Sequence, residues 1–208
     1  MPRAAATPRR PTASRTATAP APRRGQRVIT PPSIITAMNH PELFGPSFQG
    51  PTWQPWKTVL KAGEGLPMTA AETEFFKSIS GGREPPTQRM REQWWIAGRR
   101  GGKDSVASVV AAFTAASFDR PDLLRPGERG SVLCLACDRA QAKIVLGYIK
   151  SYFLDIPSLA NMVVGDMTAE GFSLNNGIDI AVGTNSFRSV RGRPLLLVIL
   201  DEWRVLAR

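Results

Sequence analysis

A chain of 208 residues with 42% apolar composition is long enough to bury one sizeable core, and no apolar run reaches the ~18 residues a membrane-spanning helix needs. The net charge of +10 suggests a polyanionic partner, yet residues 1–27 carry seven arginines and no acid, leaving only +3 for everything after them. Two cysteines, Cys134 and Cys137, are too few for a disulfide scaffold, and the N-terminus lacks the apolar stretch of a secretory signal.

Residues 1–30 are a low-complexity mixture of Pro, Ala, Thr and Arg, expected to be a disordered basic tail. Such a tail either touches nucleic acid electrostatically or is a solvated arm. Residues 31–92 form a lead-in expected to be irregular and helical. Its first half is rich in proline, with Phe44, Phe48, Trp53 and Trp56 to anchor it on the domain. His40, directly before Pro41, is expected to be exposed in a loop. Thr69 with Glu72 three residues later matches a capping box, followed by Phe75, Phe76 and Ile79 as the apolar side of a helix that Gly81-Gly82 stops.

Residues 93–208 read as the core domain. A short apolar strand at 94–97 enters the glycine-rich turn Gly98-Arg99-Arg100-Gly101-Gly102, which ends in Lys103. A helix over 105–118, apolar nearly all round, is expected to be buried. Residues 131–137 read as a second buried strand, and Asp138 as the N-cap of a helix on which Ala142, Val145, Leu146, Ile149 and Phe153 recur at helical spacing. Strand, helix, strand, helix in that order predicts an α/β fold with parallel pairing and right-handed crossovers. Asn175-Asn176-Gly177 between two apolar runs signals a hairpin, and a loop with Arg188, Arg191 and Arg193 precedes six aliphatic residues at 195–200. That run is the pattern of a central strand covered on both faces, and it ends in Asp201-Glu202.

Two stretches carry chemistry. Strand, glycine turn, lysine and helix is the order a phosphate-binding loop requires: glycines let the backbone N–H groups approach the phosphates, and the lysine neutralises their charge. Against G-x-x-x-x-G-K-[ST], Ala97 stands at the first glycine, with Gly98 next, and Asp104 at the hydroxyl position, with Ser105 next. The second stretch places Asp201 and Glu202 at the C-terminal end of a strand, where open α/β sheets bind ligands. There Asp201 can hold Mg²⁺ and Glu202 can orient and deprotonate an attacking water, or the pair is a strand ending in solvated acids. Cys134 and Cys137 face opposite sides of a strand by their odd spacing, so a metal or redox pair is not expected.

The loop at 98–105, the segment 133–138 with Gln141-Ala142, and Arg191-Gly192 leading into 196–202 together resemble the ATPase domain of the large terminase subunit of tailed bacteriophages. Trp53-x-x-Trp56 and Gly65-Leu66-Pro67 resemble that family's lead-in. The resemblance implies a P-loop NTPase of RecA/ASCE-like fold, with a mostly parallel sheet and helices on both faces. Its activity would be ATP hydrolysis with Mg²⁺, coupled to translocation of double-stranded DNA into a procapsid. Its partners would be the portal protein, the small terminase subunit and further copies in a ring, in the host cytoplasm and at the portal, with no membrane. Lys103 would contact the β- and γ-phosphates, with Gly98, Arg99, Arg100, Gly101, Gly102, Asp104 and Ser105 completing the nucleotide site. Asp201 would serve the metal, with either the Ser105 hydroxyl or Asp104 assisting, Glu202 would activate water, and Arg99 would act on the γ-phosphate in cis or, with Arg100, neutralise phosphate charge. The resemblance also implies later strands and a nuclease domain, so the chain reads as a truncated ATPase portion. The alternative is a non-catalytic nucleic-acid-binding or assembly module.

Overall fold

Alternation of polar and apolar residues fails in Gly130–Ala136 because β1 is an interior strand of the sheet and every one of its residues is buried. The computed structural model describes residues 33–136, 139–184 and 190–201. Among these, five strands form one mixed sheet in the order β2-β3-β4-β1-β5. β4 (Ile178–Thr184) and β5 (Leu195–Asp201) flank β1, both parallel to it, while β2 (Val163–Thr168) and β3 (Gly171–Leu174) extend the sheet beyond β4 in antiparallel fashion. The protein is thus α/β, but the expectation of a mostly parallel sheet is corrected. The chain returns from the helix after β1 through a hairpin, and hairpins can pair only antiparallel.

Two long helices cover the sheet. α4 (Lys103–Ala116) is small and apolar on most sides, with Val106, Val109, Ala111, Ala112 and Ala115 completely buried. α5 (Arg139–Asp155) buries Ala142, Val145, Leu146, Ile149 and Phe153, the residues its helical spacing singled out. The two pack against each other as well as against β1 and β4, which puts both on one face, the face of Val132, Cys134 and Ala136. Helices on both faces are therefore not found among the described residues. Ser108, completely buried in α4, ties the pair together by donating to the Val145 carbonyl of α5 at 3.2 Å. A short helix α6 (Pro157–Ala160) leads into the hairpin.

The Asn175-Asn176-Gly177 turn forms as its sequence demands, with Gly177 at φ 88°, and does a second job. Asn176 donates its side-chain amide to the carbonyls of Ala115 and Phe118, satisfying acceptors that the C-terminal end of α4 leaves open. Arg129 fastens the same hairpin through Asp179 and the Leu174 and Ile178 carbonyls.

The lead-in is more regular than its prolines suggested. α1 (Ile34–Asn39), α2 (Gln54–Glu64) and α3 (Ala70–Ile79) are helices, with 3₁₀ turns at Gly45–Phe48 and Pro51–Trp53. Proline is at home in the first turn of a helix, where its missing N–H has no partner to lose, and Pro46, Pro51 and Pro55 all sit there. Phe44 and Phe48 are fully buried anchors, and Phe44 meets Tyr152 of α5 edge to face at 5.0 Å. The capping box of α3 is present in both directions, Thr69 Oγ1 to Glu72 N–H and Glu72 back to Thr69 N–H. Its apolar side is shallow, however: no residue of α3 is buried and Ile79 is 53% exposed.

Candidate functional site

The parallel strands β1, β4 and β5 bring their C-terminal ends into line, with Ala136 opposite both Thr184 and Asp201. That end of a parallel sheet, where β1 has a neighbour on each side, is the place an open α/β fold offers to a ligand. The glycine loop arrives there by an unexpected route. Residues 94–97 form no strand; Trp94 is 69% exposed and Ile96 fully so, and only Trp95 packs on the core. Among the described residues the sheet ends at β5, and this apolar stretch pairs with none of its strands.

The loop itself is tightly wound. Gly101 N–H donates to the Gly98 carbonyl at 3.0 Å, Arg100 has φ 59°, and Gly102 has φ 79° as the residue that caps α4. Left-handed backbone at Gly102 is strained for any residue with a Cβ. No side chain caps α4, so its first N–H groups are free of a side-chain partner and carry the positive end of the helix dipole. Gly98, Arg99, Arg100 and Gly101 are exposed, and Gly102, Lys103, Asp104 and Ser105 half-buried.

Lys103 is the residue on which the two halves converge. Its Nζ lies 2.5 Å from Asp201 Oδ1 and 3.0 Å from Asp104 Oδ1, joining the first residue of α4 to the last of β5 across 98 positions of sequence. Burial alone would lower the lysine's pKa; the hydrogen bonds and charges of Asp201 and Asp104 outweigh it and hold the pKa above its ordinary value. The ammonium also answers how Asp104 is tolerated beside a phosphate loop, because its charge is already partnered. Asp201 is only 11% exposed, and its second oxygen, Oδ2, is buried with no hydrogen-bond partner among the described residues. A buried carboxylate oxygen left open in this way costs about 1–3 kcal/mol or more unless something occupies it.

Among the described residues no group of three or more His, Cys, Asp or Glu side chains could hold a metal ion; the oxygens the expected metal site offers are the open Oδ2 of Asp201 and the hydroxyl of Ser105, which lies in the first turn of α4. Glu202, the expected water-activating residue, and Arg188 lie outside the described residues. Arg99 and Arg100 are placed on the loop, exposed to solvent. Cys134 is a buried free thiol on β1, pushed up to about 12 by burial and by the charge of Asp201, so it stays protonated and unreactive at neutral pH; Cys137 is outside the described residues.

Sequence reasoning missed what holds the loop from behind. Trp56 of α2 donates its indole N–H to the Gly101 carbonyl at 2.7 Å, and the Trp53 ring lies 3.0 Å from where a Cβ on Gly102 would be. The Trp-x-x-Trp spacing was visible as an anchor, but nothing in it named the loop as the thing anchored. No family model matches the chain, and no curated protein or solved structure matches it either.

Proposed function

We propose that the protein is a P-loop-type ATPase, and that it is the ATPase portion of a viral DNA-packaging motor. The observation that carries the nucleotide reading is the convergence of the loop lysine, Lys103, on Asp201 at the C-terminal end of a parallel strand. A glycine turn before a helix is common, and so is a strand ending in acids. Their meeting at 2.5 Å supports reading the two as parts of one site.

In this reading the loop amides from 98 to 102 and the N-terminal end of α4 bind the phosphates, and Lys103 neutralises their charge. The ammonium has three N–H donors, of which Asp201 and Asp104 take two, leaving one for a phosphate oxygen. Mg²⁺, bound by Asp201 with Ser105 in support, would supply charge neutralisation at the β- and γ-phosphates. Arg99 or Arg100 contributes a guanidinium suited to phosphate oxygens, and Glu202 takes the proton of the attacking water. Double-stranded DNA, the portal protein, the small terminase subunit and a ring of copies in the host cytoplasm belong to this proposal through the sequence resemblance alone.

A second reading is favoured by one feature. Two exposed arginines beside a lysine already engaged by carboxylates suit phosphate contact without turnover. Phosphate release from ATP separates the two. The motor reading requires Mg²⁺-dependent release that Glu202→Gln abolishes while nucleotide binding persists. Release unaffected by Glu202→Gln overturns it, and for the binding module deletion of residues 1–27 weakens DNA binding and flattens its salt dependence.

A further inference from the structure

We propose that Trp56 is a positioning residue for phosphate binding, one that fixes the orientation of the peptide between Gly101 and Gly102. The proposal rests on the reading of the loop as a polyphosphate site. Trans peptide units are planar, with C=O and N–H pointing in opposite directions. The Gly101 carbonyl is drawn to the Trp56 indole N–H at 2.7 Å, so the N–H of Gly102 on the same peptide is turned away from α2. With glycine on both sides, nothing in the loop's own chemistry would stop this unit from flipping. A flip would exchange an N–H for a carbonyl on the surface where an anion sits, replacing attraction by repulsion.

The indole is itself held. Trp56 meets Trp95 edge to face at 5.4 Å, and Trp95 leads directly into the loop, so both ends of the turn lean on the same ring. Trp53, packed on the buried Phe48 at 4.8 Å, closes over Gly102 and makes this a position where a side chain would be both strained and obstructed. The lead-in thereby acts as a brace for the loop rather than as a passive cover of the core. Without a strand at 94–97 to fix the loop from the sheet, the brace is the main described support of its glycine end.

The test uses the full chain and inorganic tripolyphosphate with Mg²⁺ as the probe. Trp56→Phe keeps an aromatic ring against Trp95 while removing the N–H donor together with part of the indole's bulk. Affinity measured calorimetrically is expected to fall roughly 5–10-fold, the scale of one hydrogen bond's worth of preorganisation, while the thermal midpoint stays within a degree or two. A purely structural role for Trp56 would lower the midpoint and leave affinity of the folded protein intact. The specific signature is the Gly102 amide resonance, which is expected to shift downfield with tripolyphosphate in the parent and not in Trp56→Phe. Equal affinity and equal Gly102 shifts in the two proteins overturn the proposal. If the parent binds no tripolyphosphate, the reading of the site fails instead. Should Trp56→Phe fail to fold, the unaltered chain decides: tripolyphosphate is expected to slow hydrogen exchange at the Trp56 indole N–H, and an unchanged rate overturns the brace.

Discussion

The two edges of the sheet are built on opposite principles. β2 is short and interrupted: its pairing with β3 shifts register between Val164 and Thr168, Gly165 has φ 71°, and Asp166 and Thr168 lie on it beside Val163, Val164 and Met167. Irregularity and charge of this kind discourage a second strand from adding on. β5 is seven residues long, aliphatic until its last position, and carries Leu195 and Leu200 each 42% exposed. No described strand pairs its outer side. The finished edge carries no chemistry, and the open edge ends in Asp201, where the candidate site is.

The largest expected effect breaks the comparison on its functional side. Lys103→Ala leaves Asp104 and the largely buried Asp201 facing an incoming polyphosphate unneutralised, and should reduce affinity for a non-hydrolysable ATP analogue about 100-fold or more. Calorimetry checks it; a change under about threefold would mean that β5 is an edge and nothing else. On the other side of the sheet the damage should be structural. Gly171 has φ 153°, and a Cβ there would lie 2.1 Å from the Ile180 carbonyl oxygen, a backbone atom that cannot swing away. Gly171→Ala is therefore expected to cost about 2–4 kcal/mol in chemical denaturation by prising the hairpin from β4, with analogue affinity of the folded protein retained. Loss of affinity from Gly171→Ala would show that the two edges are coupled.

How much of this was legible in the sequence differs by element. Helices α4 and α5, strand β1, the hairpin turn and the capping box of α3 declare themselves through local chemistry: periodicity, an unbroken apolar run, Asn-Asn-Gly, Thr-x-x-Glu. Each is decided by residues within a few positions of one another. Position in the sheet is not. The aliphatic run of β5 has the composition of a central strand, yet its place in the order depends on what pairs beside it, and the stretch at 94–97 has strand composition with no partner at all. In the site, Lys103 and Asp201 were each recognisable from their contexts, whereas the bond between them and the Trp56 contact with Gly101 arise from packing across 98 and 45 positions. The helices of the lead-in were hidden by prolines that turn out to sit in first turns, where they favour a helix instead of breaking it.

A smaller effect probes the edges directly. If copies of the chain pair along β5, Leu200→Lys, which places a charge on that strand, is expected to lower the association in sedimentation by a few-fold, while Val164→Lys on β2, 52% exposed, changes nothing measurable. Equal responses at the two positions would remove the distinction between a finished and an open edge.

The smallest effect is the pH dependence of the contact that closes the β5 side. The Lys103 pKa is raised in the folded protein, so its ion pairs contribute fully below the unfolded value of 10.5 and are lost only as pH rises through the still higher folded value. The difference in thermal midpoint between the parent and Lys103→Met should then be flat from about pH 7 to about pH 9 and shrink only in stronger alkali. Glu72, on α3, has the opposite sign. Burial opposes its ionisation, but hydrogen bonds from Lys61 and from the Thr69 N–H prevail and hold its carboxyl below 4.5. Its contribution is present above that value and disappears as pH falls through the folded one, so acid should loosen α3 first, read as faster amide exchange at residues 70–79. Glu72→Gln removes that acid dependence and leaves the alkaline behaviour of Lys103 untouched. A midpoint difference that already shrinks between about pH 7 and about pH 9 would mean that the Lys103 ammonium is not held above its ordinary value.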